Sequence, residues 1–463
     1  MGNPPSNIPN DKTADKPIDA GGDIVGEMSD RERNLYDEGM KKFSRLGWKR
    51  LTVVLIVEAI ALGTLSIPSS FATLGMVAGI ICTVGIGLVA IYTSYVIGQV
   101  KLSYPEITNY ADAGRLMGGR VGYEIVSVML GLQLTFLTAS HCLTGTIALQ
   151  VITQSTICAV IFGVVCAVIL LAVAVPPSFT EMAILGYIDF GSIIIAIGIT
   201  IIAAGIERNE ATTTATVSGM AWSAWPPEGT TFTDAFIAVS NIIFAYSFAI
   251  CQFSFMDEMH TPKDYVKSIW ALGITEIVIY TVSSSLIYSF IGADVKGPAM
   301  LSINETVSRI AFGVALPVIF ISGSINTVVA GRLIHGRIFK NSTIRFINSV
   351  AGWSTWLGII TVITIIAFVI AEVIPFFEDL LSLISALFIS GFTFYIPALM
   401  WFFLIRKGSW TSPRNLALGA LNAAILVMGL VILGGGTYAS IQDILNNYAA
   451  GTVGSAFSCG KQY

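Results

Sequence analysis

The chain has 463 residues, 54% of them hydrophobic and 12% charged, with a formal net charge of −4 and a mean hydropathy of +0.77. A soluble domain typically carries about 25% charged residues. The composition therefore excludes a soluble enzyme or nucleic-acid-binding domain and points to an all-α polytopic membrane protein whose first partner is the lipid bilayer.

Residues 1–45 are polar and rich in Pro, Asp and Gly, and read as a disordered cytosolic tail rather than a secretory signal. From there to residue 437 the chain reads as a transmembrane domain, and 438–463 as an extracellular C-terminal tail. Runs of about 20 apolar residues mark membrane helices. Eleven are read, at 50–71, 76–100, 121–152, 156–175, 182–206, 233–256, 268–291, 305–331, 354–374, 380–405 and 415–437. With the N-terminus inside, 21 of the 25 Lys and Arg residues fall on the inner side. That lopsidedness supports both the count and the orientation.

The first span contains LTVVLIVEAIALGTLSIP, Leu51–Pro68, with Glu58, Gly63 and Pro68 inside it. A carboxylate in hydrocarbon costs at least ~2.5 kcal/mol. Gly and Pro weaken a helix where a ligand can use the freed backbone groups. Such a helix suits a transporter better than an anchor. Glu58 lies ~13 Å from the inner edge at 1.5 Å per residue, and reads either as a proton carrier or as a neutral carboxyl bonded between helices. His141, in TASHCLTGT of the third span, titrates near physiological pH, with an interhelical structural histidine as the alternative.

Asp189 in the fifth span and Glu276 in the seventh read first as polar residues at packing sites. Glu372 lies near a helix end, within reach of the headgroups, and Arg309 near another, where it can snorkel. The sixth span, TDAFIAVSNIIFAYSFAICQFSFMDEM, has no Gly or Pro, so its composition predicts no break. In the eighth, Ser322 and Asn326 share one helix face and Ser324 and Thr327 another. These groups are either cation ligands or ordinary interhelical bonds. The six cysteines are scattered, five of them in apolar runs, so neither a metal site nor a disulfide is expected. HExxH, GxSxG and Walker A patterns are absent, and no cofactor is expected.

Three stretches carry a resemblance: EAIALGTLSIP, YADAGRLMGGRVGYE and NIIFAYSFAICQFSFMDEMHTPKDYVKSI. Their order resembles the amino acid/auxin permease family, in particular its fungal neutral amino acid permeases. The resemblance implies a LeuT-like fold, a 5+5 inverted repeat plus one helix, with spans 1 and 6 unwound around the substrate. It places substrate contacts at Ala61, Leu62, Gly63, Thr64 and Leu65 and at Phe244, Tyr246, Ser247 and Phe248. Many relatives carry a GxG where this chain has Ala61, Leu62 and Gly63, so its first glycine is replaced.

The implied function is import of neutral aliphatic and aromatic amino acids across the plasma membrane by proton symport with alternating access. Two alternatives stay open, a sodium-coupled carrier and an amino acid receptor with little net flux.

Overall fold

The structure is a computed structural model and describes residues 47–463 apart from 61, 178, 214–221, 258, 340–341, 343–346, 348, 452–455, 458 and 460–463. The tail expected at 1–45 lies outside the described residues. All the described elements are helical.

The first span is two half-helices, α1 (Trp48–Ala59) and α2 (Leu62–Leu74). After α3 (Met76–Ser103), a capping box made by Asn109 and Asp112 opens α4 (Tyr110–Thr153). That helix is kinked at Gly118 and Gly119, where φ of Gly119 is +60°, a value glycine adopts without strain. α5 (Ala159–Val173) and α6 (Phe179–Thr213) complete the first half.

The sixth span is also divided. α7 (Phe232–Ala245) begins at a Thr231–Asp234 capping box and stops at Tyr246. A 3-10 turn (Phe248–Cys251) then leads into the short α8 (Gln252–Asp257). α9 (Tyr265–Ile291), α10 (Glu305–Ile338) and α11 (Val350–Val373) are continuous. α12 (Phe377–Ile384) runs through a π-helical stretch, Ser385–Tyr395, into α13 (Ile396–Met400). The last span is α14 (Pro413–Val431), a π turn and α15 (Thr437–Ala450), so helix continues well past residue 437.

Eight helices among the described residues are long and apolar enough to cross a bilayer. The first, fourth and sixth expected spans fall short of that length, two because they are broken and the fourth because α5 has 15 residues. Large apolar side chains such as Ile81, Leu88, Ile202, Val282, Ile365 and Val427 are exposed, as a lipid-facing surface requires.

Packing sets the frame of the site. α10 lies against α4 and α6, while α9 lies against α1, α2 and α3. α2 crosses α7, and α12 packs on α7 and α15.

Two expectations are corrected here. Cys158 and Cys459 form a disulfide. Cys158 is the N-cap of α5 rather than a residue inside its apolar run, so it stands at the helix end. Glu372 does not reach toward headgroups: it is 2% exposed and packs against Gly163 of α5, because α11 turns that face inward.

Candidate functional site between the two broken helices

The interruptions of the first and sixth spans meet. A Cβ on Gly63 would lie 2.6 Å from Ala245 Cα and 2.7 Å from Ala245 Cβ, so only glycine lets α2 approach the end of α7 this closely. α1 ends at Ala59 and α2 begins at Leu62, ahead of Gly63, and Pro68 sits within α2. Gly63 therefore serves the crossing of two helices rather than the unwinding of one.

A helix end leaves carbonyls without intrahelical partners, and in an apolar interior these need donors. One side chain supplies both breaks. The Tyr280 hydroxyl donates to Ala59 O at 2.8 Å and, less closely, to Ala245 O at 3.2 Å, the last residues of α1 and α7. Tyr280 is fully buried, and its ring stands edge-on to Tyr246 with centroids 5.3 Å apart. Thr393, from the π-helical stretch, reaches Tyr246 O at 3.5 Å.

The chemistry of this crossing follows from the helix termini. The first turn of α2, Leu62–Leu65, presents backbone amides at the positive end of a helix dipole, suited to a carboxylate. The carbonyl end of α7 is its complement, suited to an ammonium group. Gly63, Thr64 and Leu65 are buried, and the Thr64 hydroxyl lies beside that of Tyr280. Phe244, Tyr246 and Phe248 are buried, and Ser247 is half-buried. Tyr110 adds a second aromatic layer, with its ring centroid 4.9 Å from those of both Phe253 and Phe392 and its hydroxyl on Phe392 O at 2.9 Å. Ala61 and the side chains of Leu62 and Glu58 lie outside the described residues. Glu58 is on α1, one position before Ala59.

Other candidates lie elsewhere. His141 sits in the α4–α10 contact, against Gly323 and the backbone of Ile319, with Nδ1 unpartnered. The oxygens considered as cation ligands point to three different neighbours. Ser322 donates to Asp189 Oδ2 (2.8 Å), Ser324 to Leu170 O (3.0 Å), and Thr327 Oγ1 lies 3.0 Å from Thr138 Oγ1. Asn326 Nδ2 bonds Ser322 O of its own helix at 3.0 Å. Ser322, Ser324 and Thr327 thus bond to three different helices, and Asn326 bonds within its own.

Sequence reasoning underrated Glu276. It is fully buried one helical turn before Tyr280, and neither carboxylate oxygen has a hydrogen-bond partner. The Tyr246 and Tyr280 hydroxyls are within its electrostatic reach. Its four-residue spacing from Tyr280 was the available signal.

Comparison with known proteins agrees with this architecture. The chain is 57% identical over 438 residues to the N amino acid transport system protein of Neurospora crassa, covering 94% of this chain and 93% of that one. It is 27% identical over 421 residues to a transmembrane transporter of Fusarium pseudograminearum, covering 90% and 88%.

Two solved structures are similar at low identity, which bears on the fold alone. One is Mhp1, a nucleobase-cation-symport-1 family transporter in a closed conformation with bromovinylhydantoin bound (TM-score 0.50, 14% identity, 90% of this chain and 96% of that one). The other is the Eremococcus coleocola manganese transporter (TM-score 0.51, 13% identity, 93% and 97%). The fold is thus the LeuT-like one that the sequence resemblance implies. Residues 44–442 match the family described as transmembrane amino acid transporter protein, and the chain belongs to that family: it is a multi-pass membrane transporter of amino acids.

Proposed function

We propose that the protein imports neutral aliphatic and aromatic amino acids into the cell across the plasma membrane by proton symport, crossing the bilayer eleven times with its N-terminus in the cytosol. The observation that carries this reading is the pairing of two broken helices by Tyr280 beside the buried side chains of Phe244, Tyr246 and Phe248. The amides of α2 and carbonyls of α7 match the two charged ends of any α-amino acid, and the aromatic wall suits an apolar side chain. A charged side chain would need a counter-ion. The ion pairs among the described residues, Lys267–Asp264, Arg309–Glu305 and Arg337–Glu124, lie on other, solvent-accessible side chains.

Proton rather than sodium coupling is favoured by the dispersal of Ser322, Ser324 and Thr327 into bonds with three different helices, while Asn326 bonds within its own. Glu58 and His141 are proton-coupling candidates, Glu58 being adjacent to the break. The Cys158–Cys459 disulfide supports the topology, because it requires both residues on one oxidising face.

The test is uptake of labelled leucine and tryptophan into proteoliposomes under an imposed pH gradient, with and without sodium. Accumulation driven by outside acid and indifferent to sodium is the expected result. Accumulation only with sodium would refute proton symport, and saturable binding without flux would favour a receptor.

A further inference from the structure

One face of α9 carries buried polar groups that amino acid binding does not fully use. Glu276, Tyr280, Ser284 and Tyr288 recur every four residues and are each 0–1% exposed. That spacing sets successive members along a slowly winding row, each ~6 Å further along the helix. At one end, the Tyr288 hydroxyl lies 3.1 Å from Ser223 N and 3.2 Å from Ser223 Oγ, in the loop before α7. Ser284 Oγ has no partner, Tyr280 holds the two breaks, and the row ends at Glu276 with both oxygens unpartnered.

A fully buried carboxyl group without a partner is a poor packing device. Leaving a buried polar group unpaired costs about 1–3 kcal/mol, and more when it is charged. Among the described residues no lysine, arginine or histidine interacts with Glu276. Few titratable groups lie on the elements around it. α2 has none. On α3, Tyr92 is engaged by Asn422 and Lys101 by the carbonyls of Pro105 and Ile107, while Tyr95 is exposed and Cys82 half-buried. On α6, Asp189 accepts from Ser322, Glu207 accepts from Asn304 N, Tyr187 and Glu210 are exposed, and Arg208 is half-buried near the C-terminal end of the helix. On α1, Lys49 and Arg50 are exposed at the inner end, and the Glu58 side chain is outside the described residues. Among the described residues, the groups that face Glu276 are Tyr246 and Tyr280.

We propose that Glu276 is the group that carries the co-transported proton, and that Tyr288, Ser284 and Tyr280 line its path from the outer face. This rests on the proton-symport reading above. With the outer side open, a proton from the external solution adds to one Glu276 carboxylate oxygen and neutralises it. With the inner side open, the same proton leaves to the internal solution and the carboxylate returns. No other bond is made or broken. An intramembrane carboxyl group suits this task because its charge is uncompensated unless it holds a proton. Its position one turn from Tyr280 links that charge to the hydroxyl holding both helix breaks.

The experiment reconstitutes the wild type, Glu276→Gln, Glu276→Asp and Glu58→Gln in proteoliposomes loaded with a pH-sensitive dye. It follows labelled leucine accumulation under outside acid, leucine-linked acidification of the lumen, and leucine exchange without a gradient. Glu276→Gln is expected to retain exchange and lose both accumulation and acidification; that pattern in Glu58→Gln, with Glu276→Gln unaffected, would place the proton on Glu58 and overturn the proposal. Accumulation and acidification by Glu276→Gln at wild-type levels would overturn the proposal. Should Glu276→Gln lack both exchange and leucine-dependent thermal stabilisation, Glu276→Asp decides: a displaced pH midpoint of accumulation is expected, and an unchanged one overturns the proposal. Wild-type protein that accumulates leucine without acidifying the lumen would instead refute proton symport itself.

Discussion

Tyr280→Phe removes one oxygen from the hinge and leaves the ring in place. In the native protein that oxygen donates to Ala59 O at 2.8 Å and Ala245 O at 3.2 Å, while the ring keeps its edge-on contact with Tyr246. Losing a donor to buried acceptors costs about 1–3 kcal/mol. At about 2 kcal/mol, the balance between the closed hinge and a frayed one moves about 30-fold toward fraying. A substrate that needs both helix ends in place loses affinity in step with the fraction of closed hinge. Leucine binding to the purified variant, measured by calorimetry beside a thermal melt, should therefore weaken by up to about 30-fold, with a lower midpoint of unfolding. Binding and melting indistinguishable from wild type would refute the idea that this hydroxyl ties the two breaks together.

Further outcomes follow from other contacts. Gly63→Ala puts a methyl group 2.6 Å from Ala245 Cα, so α2 and α7 must separate by about 1 Å to reach van der Waals distance. Uptake should be lost, and adding Ala245→Gly, which removes the second clash at 2.7 Å, should restore part of it. Cys158→Ser should lower thermal stability by roughly 2–4 kcal/mol with leucine uptake retained. On intact cells an impermeant maleimide should then label Cys459, and failure to label it would put the tail on the inner face. His141→Gln should keep proton-driven uptake, because His141 packs against Gly323 and Ile319 rather than at the breaks. Loss of coupling with exchange intact would move the proton to His141.

The first broken helix was legible in the sequence, although for a reason that needs amending. Gly63 and Pro68 marked the right span, yet the interruption lies just before Gly63, and the glycine is needed for contact with Ala245. The second break was invisible to composition. Nothing in NIIFAYSFAIC is a helix breaker, and only the family resemblance foretold it. The carbonyl of Ala245 is satisfied by Tyr280, 35 residues away, and that of Tyr246 by Thr393, 147 away, so its cause lies in partners that local sequence does not reveal.

Glu276 was underrated for the same reason: a packing carboxyl and an unpartnered one look identical until the neighbours are placed. Asn326 bonds back to the Ser322 carbonyl within α10, while the Ser322 hydroxyl goes to Asp189. That second bond depends on which helices flank α10, and hydropathy does not encode that.

The Cys158–Cys459 bond joins residues 301 positions apart. It can close only after α6 to α15 have been synthesised and the segment after α15 has been delivered to the face that holds the start of α5. In a growing polypeptide the clasp therefore forms late in assembly, and an oxidised molecule has an even number of crossings between the two cysteines. One missed or extra insertion would strand the two thiols on opposite sides of the lipid. The ratio of oxidised to reduced chains thus reports such single threading errors, open to reading on a non-reducing gel before any transport is measured.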